Sequence, residues 1–219
     1  GLGTWAIGGW MWGGTDEQQS IAAIQASIDE GVSLIDTAPA YGQGRAEEIV
    51  GQAVRGRRDK VVLATKCGLV WHTSKGTHFF DYDGKPVHRH LGADSIVYEV
   101  EQSLKRLGTD HIDLYITHWQ DRTTPIAETM EALWKLKQQG KIRAIGASNV
   151  SPDDLDAYLA VGGLDALQEE YSMVKRDIES TLLPTCRKHG ISMLSYSSLA
   201  LGLLSGRIGP DRVFQGDDL

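Results

Sequence analysis

The feature that most constrains the fold of this chain is a regular alternation between short apolar segments and longer amphipathic ones. The apolar segments have the length and composition of buried strands, and the segments between them carry apolar residues at helical spacing. Strands separated by helices in this way are typical of parallel sheets built from right-handed crossovers. The pattern predicts seven strands, at residues 1–9, 32–38, 60–66, 111–119, 141–149, 164–171 and 191–199.

Two α/β architectures fit this alternation, an open doubly wound sheet and a (β/α)8 TIM barrel. A doubly wound dinucleotide-binding sheet has a Gly-x-Gly-x-x-Gly turn between its first strand and first helix. Here the first strand is followed by Gly-Trp-Met-Trp-Gly-Gly, residues 9–14. We therefore expect the barrel, as a single domain over residues 1–219, because no change in composition marks a linker.

Both ends of the sequence bear on this expectation. It opens at Gly-Leu-Gly-Thr-Trp, within a predicted strand, and stops at Gly-Asp-Asp-Leu before an element is complete. We expect a barrel that is incomplete at both ends and lacks its C-terminal part, to which the eighth strand would belong.

Local signals refine the outline between the strands. Thr15 and Asp16 are the candidate N-caps for the first helix, and Pro152 falls in the first turn of a helix over 151–162. The segment 71–95 is polar and without clear periodicity, so we predict a long loop there.

Nearly every predicted strand ends in a side chain that can titrate or form hydrogen bonds. The C-terminal strand ends of a barrel meet at one edge, where the active sites of such barrels lie. Buried polar groups without partners are costly, so we expect these residues to meet one another or a ligand. In chain order they are Asp36, Lys66, His118, Ser148 with Asn149, Gln168, and Tyr196 with Ser197.

Tyr41, five residues after Asp36, adds a candidate acid. Tyr41 would titrate near ~10 in water, and a nearby ammonium such as that of Lys66 would lower its pKa. Asp36 would in turn keep Lys66 charged against desolvation. A carbonyl group held between Tyr41 and His118 would then be polarised for attack by hydride.

Several motifs in these positions resemble those of the aldo-keto reductases, in particular the bacterial branch with glycerol dehydrogenases and glyceraldehyde-type reductases. They are GLGTW, DTAPAYG, LATK, LKRLGTDHIDLYITHW, GKIRAIGASN, QEEYS and LSYSSLALGLLSG, which together run through nearly the whole chain. The resemblance implies a (β/α)8 barrel enzyme with a catalytic tetrad of Asp36, Tyr41, Lys66 and His118. Tyr41 would be its proton donor.

The resemblance also implies a cofactor, NADP(H), bound across the strand ends. Ser148, Asn149 and Gln168 match residues that hold the nicotinamide carboxamide, and Tyr196 matches the aromatic residue that stacks on the ring. NADP rather than NAD follows from the family's habit, because its adenine-end residues come mainly after the seventh strand. Further matches are Gly3, Thr4, Trp5 and Asp36 along the cofactor and Ser197, Leu199 and Gly202 along the pyrophosphate, while Ser198 stands where many members have proline.

Bulky residues in the loops after two strands are candidates for the substrate pocket. Trp12 lies in the first loop, beside Trp10 and Met11, and Trp119 directly follows His118. They fit either a wall of the pocket or the core. The expected substrates are small aldehydes, ketones or polyols.

Charge and cysteine content exclude other classes of function. The formal net charge of -7 argues against nucleic acid or an anionic membrane as the partner. Two cysteines make neither a disulfide framework nor a metal cluster, so we expect a cytoplasmic protein without a metal. Cys67 could be activated by Lys66, but strand alternation favours a side chain that faces away from it. The sequence indicates no oligomeric state.

Two other readings remain open on the sequence alone. The same fold occurs in cytoplasmic regulatory subunits of potassium channels, which bind the cofactor with little turnover. A barrel with decayed function that binds no cofactor is the third reading, and the intact set of site residues argues against it.

Overall fold

The computed structural model describes residues 1–209 and 211–213. Its strands and helices, in chain order, are β1 (Leu2–Gly3), α1 (Glu17–Asp29), β2 (Leu34–Asp36), α2 (Arg45–Ala53), β3 (Val62–Cys67), β4 (Leu69–Val70), β5 (Thr77–Tyr82), β6 (Lys85–Arg89), α3 (Ala93–Leu107), β7 (Ile112–Thr117), α4 (Ile126–Gln138), β8 (Ile142–Ser148), α5 (Pro152–Ala160), β9 (Ala166–Glu170), α6 (Leu182–His189) and β10 (Ser192–Tyr196). Short 3-10 turns lie at Ala6–Gly8, Arg58–Lys60, Asp177–Glu179 and Ala200–Ser205.

Seven of these strands form one parallel sheet in the order β1-β2-β3-β7-β8-β9-β10. Each strand therefore pairs with the next one along the chain, apart from the excursion made by β4 to β6. A doubly wound sheet would reverse its strand order at a switch point, and this sheet has none. The topology is that of a (β/α)8 barrel, which confirms the predicted fold class.

The residues of each strand alternate between two apolar clusters. The larger cluster joins the outer faces of the strands to the helices and includes Cys67 and Tyr115. The smaller one fills the barrel interior and consists of Leu34, Ala64, Leu114, Ile116, Ala144, Ala166 and Leu194. Because strand side chains repeat with period two, the same inward face carries polar residues two or four positions farther along. They are Asp36, Lys66, His118, Ser148, Gln168 and Tyr196.

The prediction of a long loop over 71–95 was wrong, because the segment contains a β-hairpin. The strands β5 and β6 pair antiparallel, and β6 also pairs with β4, which makes a separate three-stranded sheet. The turn is formed by Asp83 and Gly84, both with positive φ (48° and 70°). Asp-Gly flanked by strand-forming residues is a strong hairpin signal, which the polar composition of the segment concealed.

The first and last predicted strands are shorter than expected. After Gly3 the chain turns into the 3-10 segment Ala6–Gly8, and after Tyr196 it leaves the sheet at Ser197, which has φ of 51°. Of the two candidate N-caps, Asp16 is confirmed, since it accepts a hydrogen bond from Gln19 N, whereas the Thr15 hydroxyl donates to Ile7 O. Pro152 begins α5, as predicted. None of the described helices is long and apolar enough to cross a membrane.

Candidate active site

Asp36 and Lys66 meet at the mouth of the barrel, by which we mean the edge where the C-terminal ends of the strands lie. The β2–β3 register places Asp36 beside Ala64. Lys66 lies two residues farther along β3 on the same face, toward the mouth. The Lys66 ammonium donates to both carboxylate oxygens of Asp36, at 2.9 and 3.0 Å, and to the carbonyl oxygen of Thr37, at 2.8 Å. The Lys66 side chain is only 1% exposed, so its charge is balanced by these partners rather than by water.

Tyr41 completes the coordination of the ammonium. The Tyr41 hydroxyl lies 3.1 Å from Lys66 Nζ. Its backbone is held by a close approach of two glycines: a Cβ on Gly8 would lie 2.6 Å from the carbonyl carbon of Tyr41, and one on Gly42 would lie 2.3 Å from Gly8 O. Trp5 stacks on the phenol ring at 6.4 Å between centroids. The hydroxyl is thus fixed from both the backbone and the ring.

His118 packs edge-on against the same phenol ring, with 5.8 Å between the ring centroids. Its backbone N–H donates to Cys67 O, which ties it to the end of β3. Its Nδ1 atom is buried without a hydrogen-bond partner among the described residues. The tetrad that the sequence predicts is therefore assembled around Tyr41.

The pKa values in this group differ in part from the expectation. Burial lowers the pKa of Lys66, but Asp36 and Tyr41 outweigh it and the net pKa is raised, so the ammonium stays charged. Burial raises the pKa of Tyr41 more than Lys66 lowers it, so the expected net lowering was wrong. Burial and Lys66 both hold the pKa of His118 well below its usual range. Near neutral pH the site offers a protonated phenol and a neutral imidazole.

A second polar group surrounds Asn149, at the ends of β8, β9 and β10. Asn149 has a left-handed backbone (φ 57°), and its Nδ2 donates to His118 O at 2.9 Å. Its Oδ1 accepts from the Tyr196 hydroxyl at 2.7 Å, and its Nδ2 also lies 3.1 Å from Ser148 Oγ. Gln168 stands beside Ser148 in the β8–β9 register. Asn149 therefore links the predicted cofactor residues to the tetrad.

Glu169, which the sequence analysis did not select, binds the backbone of the Asn149–Val150 segment from the outer face of β9. Its carboxylate accepts from Val150 N at 2.9 Å, and the Asn149 N–H also stabilises its charge. Burial nevertheless raises the pKa of Glu169 to about 7. The signal was available, since Glu169 alternates with the inward Gln168 and so must face the buried outer layer.

The remaining predicted cofactor residues fall into two places. Thr4 is fully buried and donates to Asp36 O from both its N–H and its hydroxyl, each at 3.0 Å, and Gly3 pairs with Asp36. Open space faces Gly3 on its Cβ side. In contrast, Ser197, Leu199 and Gly202 lie in the irregular segment after β10, with Leu199 59% exposed. The structure brings the first set to the tetrad but gives the second no side-chain contact with it.

The hairpin β5–β6 connects two tryptophan-bearing loops at the mouth. Trp119 contacts Phe79 at 5.2 Å between ring centroids, and Trp10 contacts Phe80 at 5.1 Å. Trp12 instead packs edge-on against Trp5 at 5.6 Å. Sequence reasoning selected Trp12 and Trp119 but not Phe79, because it predicted no hairpin to carry that ring.

Two titratable groups near Lys66 face away from the mouth. Cys67 is buried in the outer layer, and burial raises its thiol pKa well above the ordinary value, so it is not an activated thiol. Glu99 of α3 is also buried, and it accepts from Gly68 N at 2.9 Å and Ser95 Oγ at 3.1 Å. Burial raises the pKa of Glu99 to about 8.

Glu99 should make the stability of the protein depend on pH. Because its pKa rises from 4.5 to about 8 on folding, protonation favours the folded state. The stabilisation of the folded state by protonated Glu99 is fully present below pH 4.5. It is lost as the pH rises to about 8, by up to about 1.4 kcal/mol per pH unit. Glu99→Gln keeps an acceptor for Gly68 N without the charge. The effect of the substitution is the unfolding free energy of the variant minus that of the wild type. Urea titrations should show that this difference is more positive at pH 9 than at pH 6.

The matched control is Glu131→Gln, on the exposed face of α4, where Glu131 pairs with Lys135. The pKa of Glu131 is lowered from 4.5 by Lys135, so its carboxylate is charged at both pH values. That control should therefore lower the unfolding free energy slightly, and equally at pH 6 and pH 9. An equal effect of Glu99→Gln at the two pH values would contradict the assignment.

No three histidine, cysteine or acidic side chains of the described residues are grouped so that they could hold a metal ion. Asn149, Ser148 and Gln168 offer both donors and acceptors within one small area.

Comparisons with known proteins agree with the geometry. The family model described as "Aldo/keto reductase family" matches residues 1–218. An NADH-specific methylglyoxal reductase of Escherichia coli (strain K12) is 49% identical over 219 residues, which cover 97% of this chain and 67% of that protein.

Two solved structures are similar over nearly the whole chain. The glycerol dehydrogenase AKR11B4 from Gluconobacter oxydans superposes with a TM-score of 0.89 at 45% identity, covering 100% of this chain and 65% of that one. An aldo/keto reductase from Klebsiella pneumoniae, in complex with NADP and acetate, gives a TM-score of 0.75 at 37% identity, covering 96% and 66%. This chain thus spans about two thirds of the length of the proteins it resembles.

Proposed function

Because the chain belongs to the aldo/keto reductase family, we propose that it carries the active site of an NADP(H)-dependent oxidoreductase that interconverts small aldehydes or ketones and their alcohols. The observation that carries the proposal is the hydrogen-bonded group in which Lys66 Nζ binds Asp36, Thr37 O and the Tyr41 hydroxyl. Such a group can deliver a proton to one atom and stabilise the anion left behind.

The residues would act as follows. A reduced nicotinamide bound at the mouth would supply the hydride for the carbonyl carbon. Tyr41 would give its proton to the carbonyl oxygen, and the raised pKa of its phenol keeps that proton in place near neutral pH. Lys66, kept charged by Asp36, would stabilise the phenolate as it forms. In oxidation the same phenolate would accept the proton from the alcohol.

His118 would act as a hydrogen-bond donor and not as an acid. Its lowered pKa means a neutral imidazole near pH 7, with one N–H available for the carbonyl oxygen. Its edge-on contact with Tyr41 places both groups against one small substrate. Two donors on the same oxygen polarise the carbonyl as negative charge develops.

The donors around Asn149 fit a nicotinamide carboxamide, which needs both donors and acceptors. Ser148, Asn149 and Gln168 would hold the carboxamide, and Tyr196 would contact the ring. Gly3, Thr4 and Trp5 with Asp36 would border it on the β1 side, and the segment with Ser197, Leu199 and Gly202 would extend along the pyrophosphate. The open space at Gly3 is consistent with that role.

Support for the cofactor is divided among similar proteins. The relative from Klebsiella pneumoniae binds NADP in its crystal structure, whereas the Escherichia coli relative is described as NADH-specific. We propose NADP(H) on the resemblance to the family as a whole. For the substrate we propose small carbonyl compounds and polyols, and the similarity to a glycerol dehydrogenase supports the polyols. We propose that Trp12 and Trp119 line the substrate pocket.

The proposal is tested with the full-length protein by following nicotinamide absorbance with glyceraldehyde, first with NADPH and then with NADH. Cofactor binding is measured separately by quenching of tryptophan fluorescence. We expect binding of NADPH and turnover of the aldehyde. Tight binding without turnover would instead support a regulatory subunit that uses the cofactor as a ligand. Absence of both binding and turnover would refute the proposed site.

A further inference from the structure

Arg89 has an unusual environment at the end of β6. Its guanidinium carbon lies 3.9 Å from the centre of the Phe79 ring and 4.9 Å from that of Trp119. The two rings are themselves 5.2 Å apart, so the cation rests against a preformed aromatic pair. Contacts of this kind hold a guanidinium in a fixed plane without neutralising its charge.

The charge of Arg89 is not neutralised within residues 1–209 and 211–213. The ion pairs in this part of the chain do not include Arg89, and its Nε is buried without a hydrogen-bond partner. Neighbouring Arg122 differs, because both arms of its guanidinium bind Asp154. Burial, and secondarily Arg122, lower the pKa of Arg89, which shows that the surroundings disfavour its charge. An anion placed there would remove this cost.

The end of β6 that carries Arg89 is joined to the end of β3, which carries Lys66. In the β4–β6 register it stands opposite Leu69, three residues beyond Lys66. The next residue, His90, donates its N–H to Gly68 O at 3.0 Å, which ties this end of the hairpin to the end of β3. Trp119, on which the guanidinium rests, directly follows His118 in the chain. Arg89 is therefore carried by a segment that is tied to the end of β3 and that contacts the residue after His118.

Deepening the proposed function, on which it rests, we propose that Arg89 binds an anionic group of the substrate, so that the preferred substrates are small carbonyl compounds bearing a phosphate or a carboxylate. The guanidinium presents two parallel N–H groups, which match two oxygens of either anion. Fixing that end of the molecule would direct its carbonyl group toward Tyr41 and His118. The net charge of -7 repels anions in general, so the preference must come from this local cation.

Matched substrate pairs test the proposal. Glyceraldehyde is compared with glyceraldehyde 3-phosphate, and butanal with succinic semialdehyde, by kcat/KM in the wild type and in Arg89→Gln. We expect the anionic member of at least one pair to be preferred. Arg89→Gln should reduce that preference by about tenfold to a hundredfold, as for loss of a charged hydrogen bond. The activity on the neutral member should change little. The pair that responds identifies phosphate or carboxylate as the recognised group.

Two further variants separate recognition from folding. Arg122→Gln removes an equal charge that is already paired with Asp154, and it should keep the preference. Arg89→Lys keeps the positive charge but not the two parallel N–H groups of the guanidinium. It should therefore keep part of the preference for the anionic substrate. Equal preference in the wild type and in Arg89→Gln for both pairs would overturn the proposal and leave Arg89 as a packing residue only.

A binding measurement distinguishes failure of this proposal from failure of the proposed function. Inorganic phosphate should quench tryptophan fluorescence in the wild type, through Trp119, and not in Arg89→Gln. Turnover of neutral aldehydes without any anion preference would refute the anion site alone. Phosphate binding that needs Arg89, in a protein without any turnover, would refute the proposed function and retain the anion site. Absence of phosphate binding together with absence of preference would overturn the role of Arg89.

Discussion

Replacing Tyr41 with phenylalanine should abolish most of the carbonyl reduction while leaving the fold and cofactor binding intact. The phenylalanine ring keeps the contacts with Trp5 and His118, and only the hydroxyl bonded to Lys66 is lost. Removing a positioned general acid typically costs about 10²- to 10⁴-fold in rate, so kcat should fall by that factor. Steady-state kinetics with glyceraldehyde and a fluorescence titration with NADPH measure the two effects.

Tyr98→Phe is the matched control, because the Tyr98 ring is 47% exposed and lies on α3 away from the tetrad. It should keep wild-type kcat. If Tyr41→Phe retained more than about a tenth of the wild-type kcat, Tyr41 would not be the proton donor, since general acids contribute more than that.

Replacing Lys66 with methionine should damage both stability and activity. The substitution leaves Asp36, with a side chain 17% exposed, next to no cation, and it removes the donor to Thr37 O. Breaking a buried ion pair by removing one partner typically destabilises by about 3–5 kcal/mol. Urea unfolding should show a loss of that order, and kcat should fall because the Tyr41 phenolate loses its counter-charge.

The double variant Asp36→Asn with Lys66→Met separates the two consequences. It removes both charges, so it should recover part of the lost stability but none of the activity. Lys137→Met is the matched single control, since Lys137 pairs with an Asp165 side chain that is 49% exposed, and it should cost less than about 1 kcal/mol. If Lys66→Met had the same midpoint of urea unfolding as the wild type, the buried ion pair would not contribute to stability as expected.

The sequence predicted the barrel from the alternation of strands and helices, and the resemblance to the family implied the tetrad. Parallel strands bring their C-terminal ends to one edge, which explains why the polar strand ends lie together. The inward positions of Lys66 and Gln168 follow from period-two alternation and can be predicted from the sequence alone. What the sequence could not supply was the net pKa of Tyr41, which depends on how much burial opposes Lys66. The ring of Tyr41 is packed by Trp5 and its backbone is held by the Gly8–Gly42 approach, and both contacts are long-range consequences of the fold.

Other misses had signals that were overlooked. The Asp83–Gly84 turn is a signal for the β5–β6 hairpin. That hairpin carries Phe79, on whose ring the Arg89 guanidinium rests. Glu99 follows Ile96 by three residues and precedes Ser103 by four, so helical spacing places it on the buried face of α3. A charged residue at a core position of a helix is the kind of local inconsistency that marks a buried ionisable group. No comparable signal in the sequence fixes the preference between NADPH and NADH.

The most direct measurement is the transfer of hydrogen from the cofactor to the product. The full-length protein would be incubated with glyceraldehyde and NADPH carrying deuterium at one or the other position on C4 of the nicotinamide, and the alcohol analysed by mass spectrometry. We expect one deuterium on the carbinol carbon from one of the two labelled cofactors, formed at a rate that is about 10²- to 10⁴-fold lower in Tyr41→Phe. An alcohol without deuterium from either cofactor, or a rate unchanged by Tyr41→Phe, would contradict hydride transfer at this site.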